Sequence, residues 1–126
     1  APEELTMVRD YILMPHMLTI VQRSLDDINR SGHLFKHVFA ALLLVMMDRV
    51  SGDLHMLRRE LKRRNIKVVD DEQVDLVVYH RIICRGYEDR FGLVRDVMRA
   101  EISKRLAKYA AEVVRGIKGK SIDGGS

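Results

Sequence analysis

Apolar residues along the first part of the chain recur at the spacing of an amphipathic helix. From Leu5 to Ile28 they follow one another at three- and four-residue intervals, and this period predicts a helical segment over residues 3–29. Pro15 lies inside the segment. Because proline lacks the N–H that an interior helical residue donates, we expect the helix to be kinked or broken there.

A second apolar stripe follows the turn at 29–32, where Ser31 has the chemistry of a helix N-cap. The stripe holds through Leu61 and predicts a long helix. This helix either continues or breaks near Gly52, because glycine costs about 1 kcal/mol relative to alanine in a helix. The stretch 38–47 is apolar on every side. A helix that is apolar all round is buried, so we expect a partner subunit to cover one face.

Between 66 and 85 the period of the apolar residues shortens to two, which indicates β-strands. The polar run 70–73 separates two apolar runs, so the pattern predicts a β-hairpin. Gly86 ends the hairpin, and helical spacing over 87–117 predicts the last helix. The predicted fold class is therefore α+β and predominantly helical, with three long helices and a β-hairpin between the second and the last.

Length and composition fit one domain. The chain has 126 residues, of which 47% are hydrophobic, as is usual for a globular domain of about 100–150 residues. We expect 1–118 to form this domain and 119–126 to be a disordered C-terminal tail. The longest apolar run has ten residues, against about 20 for a membrane-spanning helix. With one cysteine and no signal-peptide pattern, the chain is predicted to be cytoplasmic.

Basic residues outnumber acidic ones, 22 against 18, and they are unevenly distributed. The densest basic cluster lies near the end of the second predicted helix and consists of Arg58, Arg59, Lys62, Arg63 and Arg64. Cations at a helix C-terminus stabilise it by about 0.5 kcal/mol each, and a solvated face needs charge. The cluster is thus interpreted first as structural, with phosphate binding as the alternative.

A basic helix followed by a hairpin resembles part of a winged-helix DNA-binding domain. The resemblance rests on 57–66 followed by 77–81. It implies a recognition helix in the major groove, the hairpin as a wing, and the last helix as a dimerisation element. It also requires a break at Gly52, and the acidic tip 70–72 of the presumed wing would repel phosphate.

Candidate sites for chemistry are few. Cys84 is a candidate reactive thiol, since it precedes Arg85 and the predicted helix start at Tyr87, and both features lower a thiol pKa. Its place on the more apolar strand face favours instead a small core residue. His33 and His37 are four residues apart on the second predicted helix, but zinc needs two further ligands that no motif supplies. No metal site is predicted.

The sequence carries no dinucleotide-binding glycine motif, no Walker loop and no Gly-x-Ser-x-Gly motif. We therefore interpret the chain as a non-enzymatic interaction or regulatory module that uses no cofactor and acts as a homo-oligomer, most simply a homodimer. Its expected partners are a second copy or another protein. The alternative is a dimeric winged-helix-like DNA-binding regulator, in which the five clustered cations contact phosphates.

Overall fold

A computed structural model of the chain describes the backbone of residues 2–124 and the side chains of residues 2–117. Six elements follow one another: α1 (Pro2–Arg30), α2 (Lys36–Arg63), β1 (Ile66–Val74), β2 (Val77–Cys84), β3 (Tyr87–Val94) and α3 (Arg95–Gly124). The strands form one antiparallel sheet in the order β1–β2–β3. The α+β class, the three long helices and the hairpin between the second and the last are confirmed.

The core lies where the three helices meet one face of the sheet. It consists of Val8, Ile12, Leu13, Met17, Val50, Leu61, Ile66, Ile82, Leu93, Met98 and Ile102. Arg64, directly after α2, is bonded to Glu3 and Glu4 at the start of α1. Helices α1 and α2 are therefore antiparallel, and the strands begin beside the N-terminus of α1.

Neither Pro15 nor Gly52 breaks its helix. Leu13 and Met17, on either side of Pro15, are both 0% exposed. Val50, two residues before Gly52, is also fully buried. Burial of an apolar face supplies most of a helix's stability in a folded protein, and here it outweighs the local cost of one proline or one glycine.

The predicted start of α2 at Ser31 is wrong, because the helix begins at Lys36. The hydroxyl of Ser31 donates to the carbonyl of Ile28 over 2.8 Å and accepts the N–H of His33 over 3.3 Å. Ser31 therefore closes α1 instead. In the loop that follows, Nδ1 of His33 accepts the N–H of Phe35 over 3.1 Å.

The prediction that the last helix begins at Tyr87 is wrong, because Tyr87–Val94 forms a third strand. Arg85 and Gly86 have φ of 50° and 88°, as a two-residue type I′ hairpin turn requires. Their turn brings all of β3 into register with β2. Phe91 and Leu93 alternate toward the core, with the period of two of a strand instead of the helical period predicted for this segment.

The first hairpin also turns later than predicted. The acidic run lies within β1, where the register with β2 shifts between Asp70 and Gln73, and the turn is at Asp75 and Leu76. The domain boundary at 118 and the disorder of 119–126 stay predictions, because the side chains from 118 onward lie outside the described residues. None of the helices in the described part of the chain combines the length and apolar character needed to cross a bilayer.

Candidate functional site

Six large apolar side chains are exposed at the start of α2 and in the loop before it. This apolar surface consists of Leu34, Phe35, Val38, Phe39, Leu44 and Val45. Their exposed fractions run from 41% at Val45 to 86% at Leu34. Met46 is the one buried residue of the stretch 38–47. The segment that the sequence predicts to be surrounded by protein is therefore largely uncovered in a single chain.

The exposure follows from how α2 packs. Its buried residues are Met46, Val50, Leu54 and Leu61, so the first ten residues of the helix contribute none. The core that α2 shares with the sheet and α3 draws on its second half, through Val50 and Leu61, and none of its first ten residues belongs to that core. The apolar side chains at the start of α2 are therefore left largely exposed.

The two histidines proposed as a helical pair do not share a helix face. His33 lies in the loop before α2, with its ring centroid 5.5 Å from that of Phe39 and 6.0 Å from that of Phe35. Its Nδ1 already accepts a backbone N–H. Within the described residues, no group of three histidine, cysteine or carboxylate side chains is placed to hold a metal ion.

The five clustered cations at the end of α2 divide into two groups. Arg63 and Arg64 bind Glu60, with shortest N–O distances of 2.5 and 2.8 Å. These hydrogen bonds lower the pKa of the Glu60 carboxyl to about 2. Arg64 also reaches Glu3 and Glu4 at 3.2 and 3.5 Å. The other three cations form no ion pair among the described side chains: Arg58, Arg59 and Lys62.

The continuity of α2 and the pairing of these cations bear on the resemblance to a winged-helix domain. Because α2 is continuous from Lys36 to Arg63, no separate recognition helix forms around residues 57–66. Two of the five cations are already neutralised by carboxylates. The sheet places a third strand after the presumed wing. The described fold thus lacks the arrangement by which the resemblance would put the cluster on DNA.

A cleft of 640 Å³ lies between the end of α2, the start of β1 and the β2–β3 turn. We call it the basic cleft, because four cations line it: Arg58, Lys62, Lys67 and Arg85. Leu61 and Ile66, which are 4% and 7% exposed, form part of its floor. No acidic residue among the described side chains lines it. Two of the four cations belong to the predicted cluster, and two come from the sheet.

Local backbone geometry brings these cations together. Asn65 has φ of 56°, the left-handed conformation expected of the residue that closes a helix, and it turns the chain from α2 into β1. The carbonyl of Asn65 accepts the N–H of Arg85 over 3.1 Å. The guanidinium of Arg85 donates to the carbonyl of Arg64 and to Glu4. The β2–β3 turn is thereby fixed against the end of α2.

Two residues that line this site, Lys67 and Arg85, were not predicted from the sequence. Lys67 follows the cluster in the sequence, and across the β1–β2 pair it lies opposite Ile83, on the outer face of the sheet. Arg85 comes from a turn that the sequence did not identify as a hairpin turn. The glycine that follows it, Gly86, was the residue that could have marked this turn.

Cys84 lies on the inner face of the sheet, partly buried beside the core. It pairs with Ile66 on one side and with Tyr87 on the other. Because β3 follows it, the helix N-terminus expected beside the thiol is absent from this part of the described chain. The remaining ground for a reactive thiol is Arg85, whose guanidinium is bonded to Glu4.

His80 is the one buried polar residue among the described side chains, at 7% exposed. Its Nε2 lies 3.5 Å from Oδ1 of Asp70, and its Nδ1 has no hydrogen-bond partner within the described residues. Burial lowers the pKa of the imidazole below its usual 6.5, although Asp70 opposes this shift. His80 is thus held neutral at physiological pH.

Comparisons with known proteins identify a family but no activity. The sequence profile of the YhjD protein family matches residues 1–114. The chain is 24% identical over 103 residues to the uncharacterized protein YhjD of Bacillus subtilis (strain 168), a match that spans 82% of this chain and 86% of that protein. No solved structure matches the chain.

Proposed function

The chain belongs to the YhjD protein family, and we propose that it is a non-enzymatic interaction or regulatory module in which the apolar surface pairs with that of a second copy. The observation that carries this proposal is the exposure of the six apolar side chains at the start of α2, from 41% to 86%. Large apolar side chains exposed this densely on a small protein mark an interaction site.

The area of the apolar surface supports this proposal. The exposed fractions of its six residues correspond to roughly 700 Å² per chain, so two copies would bury at most about 1,400 Å² there, and this upper bound lies within the range of standard stable interfaces. A two-fold axis would place the same residues of both copies in contact, since homodimer interfaces are isologous.

The charges around the apolar surface are compatible with self-association. Between residues 34 and 47 the one charged side chain at neutral pH is Lys36, and the next turn adds the opposite charges of Asp48 and Arg49. Two copies of this surface therefore approach without strong like-charge repulsion. Burial of its leucine, valine and phenylalanine side chains supplies the free energy of association. We place this dimer in the cytoplasm, where its one cysteine stays reduced.

The test is the mass of the protein in solution with and without a charge on the apolar surface. Light scattering at micromolar concentration is expected to give twice the 14.6 kDa chain mass. In V38E the new carboxylates of two copies would face each other, and the expected result is a monomer. Val38 is 63% exposed, so the folded single chain tolerates this substitution.

L76E is the matched control, since Leu76 is 60% exposed in the β1–β2 turn, outside the apolar surface. It is expected to remain dimeric. A wild-type protein that is monomeric at these concentrations would refute the proposal. So would a dimer that L76E disrupts and V38E does not.

A further inference from the structure

Three of the four cations that line the basic cleft, Arg58, Lys62 and Lys67, form no ion pair among the described side chains. The fourth, Arg85, binds Glu4, and Arg63 and Arg64 next to the cleft also bind carboxylates. Like charges gathered around one open cleft raise the free energy of the empty protein. A bound anion removes that cost.

These cations come from different elements and converge on one cavity. Arg58 and Lys62 are four residues apart on α2 and share one helix face, Lys67 comes from β1, and Arg85 comes from the β2–β3 turn. The hydrogen bonds of Arg85 to Asn65 and Arg64 fix the turn relative to the helix end.

The cavity has room for more than a small inorganic anion. Its 640 Å³ fall within the roughly 300–1,000 Å³ typical of small-molecule sites. Leu61, Ile66 and Val68 provide apolar surface inside it, and Tyr11 adds an aromatic ring. The cleft therefore combines a cationic rim with an apolar floor.

We propose that the basic cleft binds a small phosphate monoester that carries an aromatic or apolar body. At neutral pH the phosphate group bears a charge of about −1.5 to −2 and three acceptor oxygens, which match Arg58, Lys62 and Lys67. The body lies on Leu61 and Ile66. The cleft is at the opposite end of α2 from the apolar surface, so this site is independent of self-association.

Isothermal titration calorimetry with three probes tests the proposal on the full chain. The probes are 1-naphthyl phosphate, inorganic phosphate and 1-naphthol, which present both parts of the ligand, the anion alone and the body alone. We expect 1-naphthyl phosphate to bind at least tenfold more tightly than either of the others. In the double variant R58Q/K62Q its affinity is expected to fall at least tenfold.

The matched control is R59Q/R63Q, which removes the same charge from the same end of α2 but from residues that do not line the cleft. It is expected to change the affinity less than twofold. Equal weakening by both double variants would show a diffuse electrostatic effect and overturn the proposal. Absence of binding at millimolar probe would do so too.

A short DNA duplex, added as a competitor, separates the small-molecule site from a nucleic-acid surface. We expect it not to displace 1-naphthyl phosphate at 0.15 M salt. Tighter binding of the duplex that depends on Arg59 and Arg63 as much as on Arg58 and Lys62 would overturn the proposal, because the whole basic face would then be a nucleic-acid surface.

Discussion

The hydroxyl of Tyr109 on α3 donates a 2.5 Å hydrogen bond to the carboxylate of Asp53 on α2. Nearby, Arg105 of α3 donates to Asp10 of α1 over 3.0 Å. These two contacts join α3 to both other helices. The position of α3 thus depends on specific polar contacts as well as on core packing.

Substituting Tyr109 by phenylalanine is expected to lower the free energy of unfolding by about 1 kcal/mol, because it removes one hydrogen bond to a charged acceptor and keeps the ring. Urea denaturation followed by circular dichroism measures this change. Y87F is the control, since Tyr87 is 83% exposed, and it should leave the midpoint unchanged. A Y109F protein as stable as Y87F would show that the hydrogen bond adds no stability.

The same contact predicts how stability changes at alkaline pH. Partial burial and the nearby Asp53 raise the pKa of Tyr109 above its ordinary value of 10.0. The folded chain therefore retains the phenol proton where the unfolded chain loses it, so the stability from this group is complete below pH 10 and declines above it. The difference between the 295 nm absorbance titrations of wild type and Y109F should rise only above pH 10.

Stability is expected to fall on the acidic side because of His80. Its pKa is lowered by burial, so below pH 6.5 the unfolded chain binds a proton that the folded chain does not. This contribution to stability is complete above pH 6.5 and is lost as the pH falls, by at most about 1.4 kcal/mol per pH unit. Urea midpoints between pH 7.5 and 5 measure it.

In H80L the urea midpoint should depend less on pH over this range. The stability of this variant at pH 7.5 should be equal to or higher than that of the wild type, because the unpaired Nδ1 is removed. The control is H55L, since His55 is exposed on α2, and it should keep the wild-type slope. An H80L protein with the wild-type slope would mean that other groups cause the acid sensitivity.

Gly92 and Tyr79 lie opposite each other on β3 and β2. A Cβ added at Gly92 would lie 2.8 Å from Cε1 of Tyr79, and the guanidinium of Arg90 stands 3.9 Å from the centre of the same ring. G92A must therefore displace the ring, at an expected cost of about 1 kcal/mol. In a Y79A background the same substitution should cost much less, and additive effects in this double-mutant cycle would contradict the explanation.

The helices could be predicted from the sequence because their buried residues keep a helical period, and Asn65 marked the end of α2 correctly. Strand β3 could not be predicted, because only two apolar residues, Phe91 and Leu93, face the core from it and the residues before them are charged. The turn at Arg85 and Gly86 was the available local sign of a second hairpin.

The cations that α2 contributes to the basic cleft could be predicted from the sequence, whereas those from the sheet could not. The density of cations along 58–64 was visible in the sequence. The pairing of Arg63 and Arg64 with Glu60, three and four residues before them, is also a local pattern. Arg64 in addition contacts Glu3 and Glu4, about sixty residues earlier in the chain. That pairing is created only when α1 and α2 pack antiparallel, so no local pattern could reveal it.

Gly52 provides a last test of the continuity of α2. An added Cβ there would meet nothing within 4 Å, and the residue is helical. G52A is therefore expected to raise the free energy of unfolding by about 0.5–1 kcal/mol, since alanine loses less backbone entropy on folding. Urea denaturation measures this change in the free energy of unfolding. G86A is the opposite case, because Gly86 has φ of 88° and alanine is strained in that conformation, so the substitution should destabilise the chain. A loss of stability in G52A would show that the helix needs glycine at this position, as a break would require.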